Sequence, residues 1–74
     1  METKLGSAIR TLVEKTATEY PDKVIHLRKG LVGYICDDEH IDEGWVIVQF
    51  FCDEVLEQGD GVYDYQLAEI EPIE

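Results

Sequence analysis

The segment Trp45–Cys52, WVIVQFFC, constrains this chain more than any other. It is β-branched and aromatic, broken once by Gln49. Such a run reads as a strand with one well-buried face. The polarity of Gln49 places Val46, Val48, Phe50 and Cys52 inward. Trp45, Ile47 and Phe51 then lie outward or under another element.

Shorter runs surround it. Lys23–Arg28 reads as a first strand, with Val-Ile-His-Leu at its centre, and Lys29-Gly30 as a turn. Leu31–Cys36 reads as a second strand, in which Gly33 marks a bulge or a close-packing point. Gly59-Asp60-Gly61 is a turn. Val62–Tyr65 follows as a strand with Tyr63 and Tyr65 on one face. Gln66-Leu67-Ala68 reads as one tight helical turn. Glu69–Ile73 is a last short strand, which tolerates Pro72 only at an edge.

The first residues carry a different period. Leu5, Ala8, Ile9, Leu12, Val13 and Ala17 recur at intervals of three and four. That spacing predicts an amphipathic helix over about residues 3–18. Thr3 is its candidate N-cap, and Pro21 ends it by biasing Tyr20 away from helical angles. The expected fold is α+β, mainly β. It is a single domain over 1–74, with the helix (3–18) packed on five strands (23–73) that form a bent sheet or barrel. A length of 74 residues is near the lower limit for a self-sufficient core.

Charge divides the chain. All six cations, Lys4, Arg10, Lys15, Lys23, Arg28 and Lys29, precede residue 30. Set against four acids, they give residues 1–29 a charge of +2. Residues 30–74 hold thirteen acids and no Lys or Arg, a charge of −13. A nucleic-acid binder working through a basic face is excluded, because phosphate neutralisation needs Lys and Arg. Adsorption to an anionic membrane is equally disfavoured. No apolar run reaches the roughly 18 residues of a spanning helix. The N-terminus lacks the basic-then-apolar layout of a signal peptide. Cys36 and Cys52 fit no zinc spacing and read as free thiols in a cytoplasmic protein.

The run KVIHLRKGLVGYI…WVIVQF…YDYQLAEIEP resembles the SH3-like barrels of small bacterial and cyanobacterial proteins. The likeness covers residues 23–73. Together with the loop DDEHIDEG it is similar to a cyanobacterial calcium-binding family that has no EF-hand. The resemblance implies Ca²⁺ as the bound ion, an aspartate of this loop as the strong site, and a role in setting free calcium.

The acids themselves form two groups. Asp37, Asp38, Glu39, Asp42 and Glu43 crowd the loop before Trp45. Asp53, Glu54, Glu57 and Asp60 crowd the loop after Cys52. In a meander these loops lie at opposite ends of the Trp45–Cys52 strand, more than about 20 Å apart. Cys36 and Cys52 are by the same geometry beyond disulfide reach. Like charges so close raise one another's pKa and cost stability. Relief must come from the first segment, from solvent, or from a cation. Calcium accepts six to eight oxygens at flexible geometry, and Gly44 lets the chain turn near an ion. Magnesium demands stricter geometry, and transition metals prefer His and Cys.

No EF-hand register fits. From Asp37, position six is Asp42 and position twelve Val48; from Asp38, position twelve is Gln49. From Asp53, position six is Gln58. A calcium site here is therefore irregular. Asp38 is the leading ligand, with Asp37 and Glu43 beside it and Asp53 and Glu54 leading the second group. Asp64 is a further candidate. Acid-rich surface loops are nevertheless usually solvated and bind nothing specific.

Catalysis is not expected. Neither His26 nor His40 has a nucleophile arranged around it, and a barrel of this size leaves little room for a water-excluding pocket. Gly59-Asp60-Gly61 is followed by no helix start or Lys, so it is not a phosphate loop. Two functions compete. One is an intracellular calcium-binding protein, buffer or sensor. The other is an acidic interaction module for a basic protein partner, or an inhibitor whose carboxylates imitate DNA phosphates. Clustering in loops favours ions modestly over a DNA mimic.

Overall fold

The computed structural model describes residues 5–73. Seven strands and one short helix follow in the order β1 (Ala8–Thr11), β2 (Lys15–Glu19), β3 (Lys23–Leu27), β4 (Val32–Asp37), β5 (Trp45–Phe50), α1 (Asp53–Leu56), β6 (Val62–Gln66) and β7 (Ile70–Pro72). One five-stranded sheet has the order β6-β5-β4-β1-β7, and β2 and β3 pair as a separate hairpin. All pairings are antiparallel.

The N-terminal amphipathic helix is the main correction. Described residues of 5–18 form β1, a connection and β2, while Thr3, the expected cap, lies outside the described residues. The members of the supposed stripe part company. Ile9 is fully buried, Ala17 packs against the core, and Leu5 and Leu12 are exposed. A strand period governs instead: Ile9 and Thr11 point inward and Arg10 outward. What decides this is partnership. β1 lies between β4 and β7, with Ile9 opposite Gly33 on one side and Pro72 on the other. Strand preference is largely a preference for such neighbours, and here it overrides helical spacing. The expected five-stranded barrel is corrected as well. The described residues form seven strands in two sheets, and the larger sheet is open.

The expected meander stands as β4-β5-β6. Val46, Val48 and Phe50 face inward as their alternation requires, and Tyr63 and Tyr65 join them from β6. Gly33 is a close-packing point. A Cβ there would lie 2.8 Å from the Gln49 carbonyl oxygen and 2.8 Å from Val48 Cγ1. The bulge falls two residues on, where the β4–β5 register shifts between Ile35 and Asp37.

Thr11 fixes the hairpin to the sheet. It is 1% exposed, its Oγ1 donates to the Arg28 carbonyl at 3.2 Å, and it accepts the Leu31 N–H at 2.9 Å. A buried hydroxyl is tolerable because both roles are used. Ile25 and Leu27 on β3 complete the core with Val55 of α1, and all three are fully buried.

Candidate functional site

The two acidic groups sit where the meander puts them, at opposite ends of β5. Asp37 ends β4, Asp38 and Glu39 lead into a 3-10 turn over Ile41–Glu43, and Asp42 and Glu43 lie in that turn. Asp53 and Glu54 occupy the first turn of α1, Glu57 caps its end, and Asp60 lies in the following loop. Asp64 belongs to neither group. It sits in the middle of β6, opposite Ile47. Among the described residues no three His, Cys, Asp or Glu side chains gather as a metal would require.

Each carboxylate that has a partner finds it separately. Asp37 Oδ1 accepts the Glu39 N–H at 2.8 Å, an Asx turn that shapes the loop locally. Glu43 meets His40 Nδ1 at 2.5 Å. That hydrogen bond holds the imidazole pKa above its ordinary 6.5. The same ring stacks on Trp45 at 4.2 Å, 8° from parallel.

The cations of the first segment reach across to the acids of the second. Arg28 Nε lies 2.9 Å from both oxygens of Glu54, Lys15 Nζ 3.1 Å from Glu69, and Arg10 Nη1 3.0 Å from Glu71. So the relief that the charge split demands comes in part from the folding of residues 8–28 over the acidic half. Nine of the twelve acids in residues 30–73 still have no Lys or Arg within 4 Å among the described residues. Six of the nine, Glu39, Asp42, Glu43, Asp53, Glu57 and Asp60, are exposed loop, turn or α1 residues.

Around the hairpin lie two clefts. One, of about 530 Å³, runs between β3 and α1 and includes His26, Arg28, Glu54 and Gln58. Gln58 closes the β3 edge there. Its side-chain oxygen accepts the His26 N–H at 2.7 Å, and its nitrogen donates to the His26 carbonyl at 2.9 Å. A side-chain amide thus stands in for a neighbouring strand, which is one way of blunting an open edge.

The other cleft, of about 420 Å³, separates β2 from β6. Side chains tie both of its ends. Lys15 Nζ donates to the Asp64 carbonyl at 2.7 Å while lying 3.8 Å above the centre of the Tyr65 ring. At the other end the Tyr63 hydroxyl donates to Glu19 at 2.5 Å, and the Asp60 N–H donates to the same oxygen at 3.1 Å. These two bonds hold the Glu19 carboxyl below its ordinary 4.5. Burial, and then the bond to Glu19, push the Tyr63 phenol up to about 12, so the proton stays on tyrosine. The Tyr65 hydroxyl is buried and has no hydrogen-bond partner among the described residues.

Sequence reasoning passed over Lys15, Glu19 and Gln58. For Lys15 and Glu19 the signal was the β-branched pair Thr16 and Thr18 around Ala17, which reads as a strand once the helix is set aside, and for Gln58 there was none. No protein-family model, no curated protein and no solved structure matches this chain.

Proposed function

We propose that the protein is an interaction module whose acidic surface engages a basic protein partner. The observation that carries this is the dispersal of the carboxylates. Among the described residues nine of twelve have no Lys or Arg within 4 Å, and no three acids, histidines or cysteines are placed so that they could hold a metal ion. A dispersed field attracts an extended cationic surface better than a single ion, because an ion needs several oxygens at one point. The free thiols of Cys36 and Cys52 suit a reducing compartment such as the cytoplasm. No described helix is long and apolar enough to cross a membrane.

Calorimetric titration of the metal-free protein separates this reading from calcium binding. One titrant is a blocked eight-residue peptide alternating lysine and valine; the other is Ca²⁺. The proposal expects heat with the peptide, weakening as salt screens the field, and none with micromolar Ca²⁺. Asp38→Asn together with Asp42→Asn should weaken the peptide. Heat with Ca²⁺ alone would return the acidic loops to an ion-binding role.

A further inference from the structure

The cleft between β2 and β6 has as its walls two strand edges that pair with no other strand among the described residues. Phe50 N–H donates to the Gly61 carbonyl at 2.7 Å, and Leu67 N–H to the Gly44 carbonyl at 2.8 Å. Both bonds continue the register that pairs Gln49 with Val62 and Trp45 with Gln66. Bonded and non-bonded pairs alternate along an antiparallel ladder. Tyr63 and Tyr65 therefore bond to β5, while Val62, Asp64 and Gln66 aim their N–H and C=O groups away from it. The partners of two of these groups agree: Lys15 reaches the Asp64 carbonyl, and the Gln66 N–H goes to Glu69 Oε1 at 2.8 Å.

The same parity applies to β2. His26 turns its N–H and C=O to Gln58, so its register partner Thr16 turns away from β3 as well, and Thr18 does likewise two residues on. Among the described residues no backbone bond joins the β2 and β6 edges, and they belong to separate sheets. Only the side-chain ties of Lys15 and Glu19 span the gap. The other edges are closed. Gln58 plugs β3, and β7 is three residues long and ends in Pro72.

We infer that this cleft receives an extended basic segment of a partner protein as an added β-strand, antiparallel to β6. The inference rests on the basic-partner reading above and adds where and how the partner binds. Backbone bonds to Val62, the Asp64 N–H, Thr16 and Thr18 supply affinity, and the Asp64 carbonyl becomes available only if Lys15 lets go of it. Charge selects the occupant. Glu19, Asp60 and Asp64 line the cleft and Lys15 is the one cation on it. Ala17, Ile47 and Val62 offer apolar surface to the intervening side chains. A second copy of this chain is the poorer occupant, because it would bring another β6 with the same acids and a net charge of −11.

The test is amide hydrogen exchange by NMR, with the lysine–valine peptide as probe. A matched peptide N-methylated at alternate residues keeps the charge and loses the backbone donors on one edge. Strand addition expects the Val62 and Asp64 amides to slow by roughly tenfold or more near saturation, and N-methylation to weaken binding by roughly tenfold. Asp64→Pro removes a donor that points off the sheet, so it should weaken the peptide while the Tyr63 and Tyr65 amides stay protected. If both peptides bind equally and Val62 and Asp64 exchange as before, strand addition is wrong and charge attraction alone stands. If neither peptide binds, the basic-partner reading fails with it. Slowing of those amides that grows with protein concentration in the absence of peptide assigns the cleft to a second copy and overturns the inference.

Discussion

Tyr63 and Glu19 lie 44 positions apart in sequence, yet the tyrosine hydroxyl donates to the carboxylate at 2.5 Å and ties the β2–β3 hairpin to β6. The bond is a pH-dependent one. Because Tyr63 and the Asp60 N–H lower the Glu19 pKa below 4.5, the stabilisation is present above that value. It is lost as pH falls through the lower folded-state pKa. Urea unfolding between pH 7 and pH 3 should therefore show a stability decline below pH 4.5 that is shallower in Tyr63→Phe. Parallel curves for the two proteins would remove Glu19 from the acid response.

His40 responds in the opposite sense. Its pKa is raised above 6.5 by the bond to Glu43, then by the neighbouring charges of Glu43, Glu39 and Asp37 against some loss of hydration. Its stabilising contribution is complete below 6.5 and disappears as pH rises through the higher folded-state value. Trp45 is the sole tryptophan, and the imidazole lies on its face. A protonated imidazole quenches an indole it stacks on, so tryptophan emission should rise with pH, with a midpoint above 6.5. Glu43→Gln should move that midpoint down. An emission flat from pH 5 to pH 9 would contradict the stacked geometry.

Gly33→Ala tests the packing of β4. The added methyl would meet the Gln49 carbonyl, Val48 Cγ1 and Phe50 Cδ1, all inside 3.0 Å. Two of these atoms belong to core side chains with no room to retreat. The expected cost is about 2 kcal/mol, the range for overpacking. It would be read as a lower urea midpoint at unchanged slope.

Gln58→Ala should uncover the β3 edge. The His26 amide loses its acceptor at 2.7 Å, so its exchange with solvent should accelerate well beyond that of Ile25 and Leu27. An unchanged His26 rate would mean that the edge is covered by something other than Gln58.

Much of the second half was legible because its strands announce themselves. Trp45–Phe50 alternates cleanly between buried and half-buried positions. Val62–Gln66 does so between buried and exposed ones. Pro72 marks an edge strand by chemistry alone. The first nineteen residues were not legible, because Leu5, Leu12 and Ile9 satisfy a helical period that only partners can refute. Nothing in Ala8–Thr11 reveals that β4 and β7 will flank it. The acids show the same limit. Their grouping in two loops is visible in the sequence, but which of them meet Arg10, Lys15 or Arg28 depends on the crossing of the chain. The β2–β6 cleft was beyond reach for a further reason. It is defined by backbone groups that pair with no neighbouring strand, and composition carries no trace of those.

β1 borders β7 on one side and β4 on the other, and this orders events during synthesis. The β4-β5-β6 meander is local and can zip as it emerges. β1 can join it early through β4, but its other edge stays open until residue 72 has been made. A chain cut after residue 66 would keep β6-β5-β4-β1 in one sheet but leave the outer edge of β1 without a strand. Three residues, Ile70–Pro72, cover that edge of β1 and leave β6 as the long edge of the sheet.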